Sequence, residues 1–237
     1  MDAILEKNGE KAVANTTQQG LRKAHDALFE TPRKADWYVQ IVSLLWNYAR
    51  HKLDWSLGDN PATGLELFGT KRPFEPWPAW MVDKLISAPS NVKTAAQLIM
   101  GTGQRPNAAI SMRWTDFEGD TMMVMDEKAG ERFPTFWPED LRRYMGSVEK
   151  KGVYVLAKNL TEPIGYDGVE KAFRGWRSGL GEEARPYSLH GLRKLAIIRL
   201  AEAGCSDAEI QAVTNQSAET VVYYRKQANR TKLSRSA

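Results

Sequence analysis

Tyr187-Ser188-Leu189-His190-Gly191-Leu192-Arg193, running on through Lys194-Leu195-Ala196-Ile197-Ile198-Arg199-Leu200 to Ala203-Gly204, is the stretch that organises the rest of the chain. Leu192, Leu195, Ala196, Ile198 and Leu200 recur at helical spacing, which predicts a helix over 189–203. Gly204 supplies the left-handed residue that stops such a helix. His190 and Arg193 are three residues apart, so a helix puts both side chains on one face. Immediately after, Ser206-Asp207-Ala208-Glu209 matches a capping box, in which the Ser oxygen and the Glu carboxylate satisfy the first free N–H groups of the next helix. That helix is expected to run through Ile210 to Val213. Another, over 217–225, carries Tyr223 and Tyr224 to its end.

Working back towards the N-terminus, the apolar pattern changes period. Met122 and Val124, then Phe133 and Phe136, flank the polar segment Glu127-Lys128-Ala129-Gly130-Glu131, which predicts a β-hairpin with Lys128 near its tip. Helices are expected at Met81–Ile86 and Ala95–Met100. Arg105 follows Gly101-Thr102-Gly103-Gln104, and Pro106 biases it out of the α region, so its guanidinium projects from a helix–loop junction.

Further back still, Trp37, Ile41, Leu44, Leu45, Tyr48 and Leu53 form an apolar stripe that predicts a small helical core, ended by the turn Gly58-Asp59-Asn60-Pro61. Periodicity is lost from Leu67 to Trp80, where Pro73, Pro76, Pro78 and Gly69 suggest a stiff connector. The expected organisation is therefore a helical domain over 1–70, a linker over 71–80 and a second domain over 81–237.

Bulk properties narrow the functional class. A chain of 237 residues with 42% hydrophobic content supports two modest cores. No stretch approaches the about 20 apolar residues of a membrane helix, and the first 20 residues have no secretory or transit pattern, so a cytoplasmic location without membrane contact is expected. Cys205 is the sole cysteine, which excludes an internal disulfide. With His25, His51 and His190 the only histidines, no zinc spacing exists, and neither metal nor cofactor is expected. The formal charge of +4 is compatible with nucleic acid but is shared by many enzymes. The tail from Arg225 is basic and free of acid, consistent with a solvated helix end or an arm that contacts phosphates through Arg225 and Lys226.

Phosphodiester transfer without a metal needs positive charge on the non-bridging oxygens, a proton donor for the leaving hydroxyl, and a nucleophile that conserves the bond energy. Arg105 and Arg193 are permanently charged forks suited to a phosphate. Six segments, read in order, resemble the motif series of tyrosine recombinases (phage integrases). They are Gly101 to Arg105, Arg113-Trp114-Thr115-Asp116, the Lys128-Ala129-Gly130 hairpin, Tyr187 to Arg193, Ala201 to Ile210, and Ser217-Ala218-Glu219-Thr220 leading to Tyr224. The resemblance covers roughly Met81 to the C-terminus, and Asp59-Asn60-Pro61-Ala62 is the best local match before it.

That resemblance implies a mainly α, α+β architecture: a helical core-binding domain and a mostly helical catalytic domain with a small antiparallel sheet. It implies a site-specific recombinase that forms a 3′-phosphotyrosyl link to double-stranded DNA and works as a tetramer. It also implies that Arg105 and Arg193 bind the phosphate, Lys128 protonates the leaving 5′-hydroxyl, His190 assists proton transfer and Tyr224 is the nucleophile, with Tyr223 packed. Where the family usually has Glu three residues after the first arginine this chain has Ala108. Where it usually has His or Trp nine residues before the tyrosine there is Asn215, followed by Gln216. Asn215 or Gln216 is expected to donate to a phosphate oxygen and to support slower cleavage. The reading from another class is a helix-turn-helix regulator built on 189–224, which explains the basic charge but not Arg105 or the lysine hairpin.

Overall fold

A computed structural model describes residues 6, 9–69, 74–126 and 130–228. The chain divides into two compact units, 1–73 and 74–237.

The first unit is helical. Helix α1 (Gln18–Asp26) starts at Thr17, whose side chain accepts the Gly20 N–H. Helix α2 (Pro32–Lys52) has Pro32 at its first position, where a missing N–H costs nothing. The stripe read from the sequence lies on the wrong face of α2. Trp37, Leu44 and Tyr48 are 54%, 68% and 55% exposed, whereas Ala35, Val39, Trp46 and Ala49 are buried. Both sets recur at helical spacing, and the small alanines that let α2 approach its neighbours carry little weight in a hydropathy pattern. The turn at 58–61 is stitched to α2. Trp46 Nε1 donates to the Gly58 carbonyl at 3.2 Å, and Asn60 Nδ2 donates to Ser43 Oγ at 2.9 Å and Asn47 Oδ1 at 3.0 Å. Asp36 joins the two ends of the unit: its carboxylate contacts His25 Nε2 at 2.9 Å and accepts the Phe68 and Gly69 N–H groups at 2.9 and 2.8 Å.

The second unit begins with a segment expected to be linker. Trp77 is instead almost fully buried, and its Nε1 donates to the Ser188 carbonyl at 2.7 Å. The prolines around it stiffen a core segment rather than a spacer. Helix α3 (Ala79–Asp83) and a 3-10 turn (Lys84–Ser87) occupy the predicted 81–86 helix, and α4 (Ser90–Thr102) extends the predicted 95–100 helix at both ends. Helix α5 (Pro106–Ile110) follows Arg105.

The sheet is three-stranded, antiparallel and ordered β1 (Phe117–Glu118), β2 (Thr121–Asp126), β3 (Glu131–Phe136). Val124 pairs with Phe133 and Met122 with Thr135. Met122 and Val124 face the core while Met123 and Met125 do not, the alternation a half-buried strand requires. The hairpin read from the sequence is therefore present, though Lys128, expected near its tip, lies outside the described residues. Asp116 braces the start of the sheet by accepting the Arg113 N–H at 2.7 Å and pairing with Arg132 on β3.

Five further helices complete the unit: α6 (Glu139–Gly146), α7 (Gly165–Ser178), α8 (Leu189–Glu202), α9 (Asp207–Thr214) and α10 (Ala218–Arg225). The capping box forms as read, with the Ser206 side chain accepting the Glu209 N–H and the Glu209 carboxylate accepting the Ser206 N–H. Helix α8 crosses between two apolar clusters. Leu189 and Leu192 belong to a core with Trp77, Leu98, Ile110 and Phe173, while Ile197, Ile198 and Ala201 pack with Ile210, Val221 and Tyr224. A mostly helical fold with a small antiparallel sheet is what the sequence led us to expect.

Candidate active site

The site lies where α8 passes from one cluster to the other, and its geometry starts with backbone. Gly103 ends α4 in the left-handed conformation, at φ 63°. A Cβ there would meet Thr214 Cγ2 at 2.6 Å, so only glycine lets the end of α4 lie against the end of α9. Asn215 ends α9 with φ 47°, the left-handed region that asparagine tolerates better than most residues. These two helix ends present carbonyls to the same side chain. Arg193 Nε donates to the Gly103 carbonyl at 2.8 Å, and Nη2 donates to the carbonyls of Thr214 at 2.7 Å and Asn215 at 3.3 Å. Three acceptors shared between Nε and Nη2 fix the orientation of the planar fork, and Arg193 is a buried residue.

Arg105 precedes α5 in an extended conformation (φ −59°, ψ 144°), as Pro106 requires, and is half-buried. Its charge reaches Lys194, the residue after Arg193. Burial, then the charges of Arg193 and Arg105, bring the Lys194 ammonium down from the usual 10.5 to about 8. Lys194 Nζ donates to Gln216 Oε1 at 2.7 Å and lies 4.9 Å from the ring centroid of Tyr224. Lys194 thus places one cation against the Tyr224 ring, and the charges of Arg193 and Arg105 reach that lysine.

Tyr224 is 5% exposed and Tyr223 is 48% exposed, which reverses the expectation that Tyr223 would be the packed one. The two rings meet edge to face at 4.9 Å. The Tyr224 hydroxyl donates to the Phe74 carbonyl at 3.0 Å, and burial, Tyr223 and Glu75 push its pKa up. The Phe74 ring stacks on His190 at 4.7 Å, so one residue touches both the histidine and the tyrosine. Gly191, between His190 and Arg193, permits this arrangement: a Cβ there would lie 2.1 Å from the Glu75 carbonyl oxygen.

Of the residues singled out by sequence, the structure gathers Arg193 and Tyr224 around Lys194, with Arg105 within electrostatic reach and His190 beside Phe74. Lys128 lies outside the described residues. The Asn215 side chain is exposed, and its backbone carbonyl is used by Arg193. Arg225 is held by the Asp207 carboxylate and the Cys205 carbonyl, Lys226 is exposed, and the tail from 229 lies outside the described residues. Sequence reasoning missed Lys194, and offered Gln216 only as an alternative donor to Asn215. A lysine in a helix reads as a solvated face by default, and the available signal was its place inside an apolar run, next to an arginine already assigned to a site.

Among the described residues no helix is long and apolar enough to cross a membrane, and no group of His, Cys, Asp or Glu side chains is arranged to hold a metal ion.

Residues 81–230 match the Phage integrase family, and the chain belongs to that family. No curated protein sequence matches. Solved structures with the same fold include a lambda integrase dimer bound to a COC′ core site, 21% identical with a TM-score of 0.80, over 97% of this chain and 86% of that one. A lambda integrase tetramer bound to a Holliday junction is 20% identical with a TM-score of 0.78, over 94% of this chain and 68% of the other. The Tn1549 transposon integrase in complex with circular intermediate DNA is 14% identical with a TM-score of 0.71, over 98% and 89%.

Proposed function

We propose that this chain is a site-specific DNA recombinase that cleaves and rejoins duplex DNA through Tyr224. The observation that carries the reading is the meeting of Arg193, Lys194 and the Tyr224 ring, brought together from α8 and α10 with the Arg105 charge in range. In the reaction the phenol oxygen forms a bond to phosphorus while the bond from phosphorus to the 5′-oxygen breaks. The phenol proton passes to a base, for which His190 is assigned, and the leaving 5′-oxygen takes a proton from Lys128. The product is a 3′-phosphotyrosyl link and a free 5′-hydroxyl. Attack by another strand's 5′-hydroxyl reverses each step and restores the phenol, so no co-reactant is consumed. Arg105 and Arg193 hold the non-bridging oxygens, whose charge grows in the transition state.

Membership of the integrase family and the fold shared with DNA-bound integrases support duplex DNA as partner and a homotetramer as the working assembly. The first unit is assigned as the core-binding domain, and a cytoplasmic location follows from the same reading. The test is a nicked suicide duplex carrying the element's own junction, analysed on a denaturing gel. A covalent protein–DNA adduct is expected from the native chain and none from Tyr224→Phe. Persistence of the adduct in Tyr224→Phe would overturn the assignment of the nucleophile.

A second reading has its own support. Ala108 and Asn215 stand where the family usually supplies Glu and His or Trp, which favours a relative that binds DNA and cleaves it slowly or not at all. Duplex binding with no adduct from the native chain would establish that reading in place of the first.

A further inference from the structure

The position at which integrases usually present a histidine or tryptophan to the phosphate is filled here by a residue whose side chain faces solvent. The next residue behaves differently. Gln216 is 9% exposed, and its Oε1 accepts from Lys194 Nζ at 2.7 Å. An ammonium only donates, so the amide oxygen must face it and the Nε2 must point away. That Nε2 is buried and has no hydrogen-bond partner among the described residues. A buried donor of this kind costs free energy unless a further acceptor satisfies it. Beside it, Lys194 adds a compact positive charge to the fork of Arg193 and sits over the ring of Tyr224.

We propose that Lys194 and Gln216 form a third phosphate-binding element of the site. The Lys194 ammonium and the Gln216 amide N–H contact the non-bridging oxygens of the scissile phosphate beside Arg105 and Arg193, and Gln216 orients Lys194. The pair adds donors directly beside the Asn215 position. This inference rests on the recombinase reading above.

The charge balance gives a measurable signature. Lys194 is surrounded by Arg193 on its own helix, with His190 one turn back, by Arg105 at the start of α5, by Tyr224 with Tyr223 and Glu75 behind it, and by Gln216. In the free protein its ammonium loses its proton near pH 8. A phosphate oxygen favours the charged form, so binding DNA draws a proton from solvent.

Calorimetric titration of Tyr224→Phe with nicked duplex, at about pH 8.7 in two buffers of different ionisation enthalpy, is expected to show uptake of about half a proton or more. Adding Lys194→Met to that background removes the uptake. With Tyr224 intact, Lys194→Met slows adduct formation on the order of 100-fold, and Lys194→Arg restores about a tenth of the native rate. Gln216→Leu, which leaves the lysine in place, slows the adduct in the same direction and serves if Lys194→Met does not fold. An adduct formed at the native rate by folded Lys194→Met or by Gln216→Leu overturns the inference and leaves the recombinase reading intact. Slower adduct formation by Lys194→Met without any proton uptake in the parent assigns the lysine a purely structural part and also overturns it. No adduct from the native chain sinks the recombinase reading, and this inference with it.

Discussion

Arg193 is asked to do two jobs that pull in one direction. Three backbone carbonyls hold it, at the ends of two helices, α4 and α9, and in the proposed reaction the side chain held in this way also binds the phosphate. Arg193→Ala therefore leaves buried acceptors without a donor, and unfolding in urea should show a loss of about 2–4 kcal/mol along with loss of the adduct. Arg193→Lys cannot reproduce the fork and is expected to lose most of the activity as well. At Tyr223 and Tyr224 the two exposures make a simple chemical prediction. Brief nitration of the DNA-free protein, followed by peptide mapping, should modify Tyr223 and spare Tyr224, whose hydroxyl is bonded to Phe74 and whose raised pKa keeps it protonated. Equal modification of both would contradict this placement.

At the scale of elements, what the sequence made legible and what it hid follow one physical division. Helix boundaries were readable where local chemistry alone sets them, and not at the starts of α3 and α4, which no side-chain cap marks. Gly204 and the Ser206–Glu209 box stop and start helices whatever packs around them, and Pro106 sets Arg105 extended by sterics alone. Faces were harder. On α2 two sets of residues share the helical period, and only the neighbours decide that Ala35 and Val39 go inside and Trp37 and Leu44 outside. Trp77 was hidden for a similar reason, since flanking prolines describe a stiff segment without saying whether it is covered. Gly103 yields the clearest element-level prediction. Gly103→Ala combines a positive φ with a Cβ 2.6 Å from Thr214, so it should lower stability by about 1–3 kcal/mol. It should also disturb Arg193, through the carbonyl it displaces. Thermal unfolding and the adduct assay together check this.

At the scale of the molecule, the two units are expected to differ in their response to acid. The Asp36 carboxyl in the first unit is held below its usual value chiefly by the hydrogen bond from His25, with the Phe68 and Gly69 N–H groups adding to it. A depressed carboxylate contributes stability above its unfolded pKa, near 3.8, and that contribution is lost as pH falls through the lower folded value. Unfolding of 1–73 followed by Trp46 and Trp37 fluorescence should therefore weaken below about pH 4, and Asp36→Asn should remove that dependence. For the whole chain on DNA, affinity should fall about 1000-fold or more between 50 and 200 mM salt if several phosphates are neutralised. A flat salt response would argue against a phosphate-tracking surface.

Phe74 is the first described residue after the join between the units, and its ring covers His190 while its carbonyl holds the Tyr224 hydroxyl. One residue thus contacts both side chains to which the proposed reaction gives the roles of base and nucleophile, so freeing either should be felt by the other. Activation should then look like one event in time: a single lag before the first covalent product, shortened when Phe74→Ala strips the ring, rather than two separable delays for a proton acceptor and an attacking group.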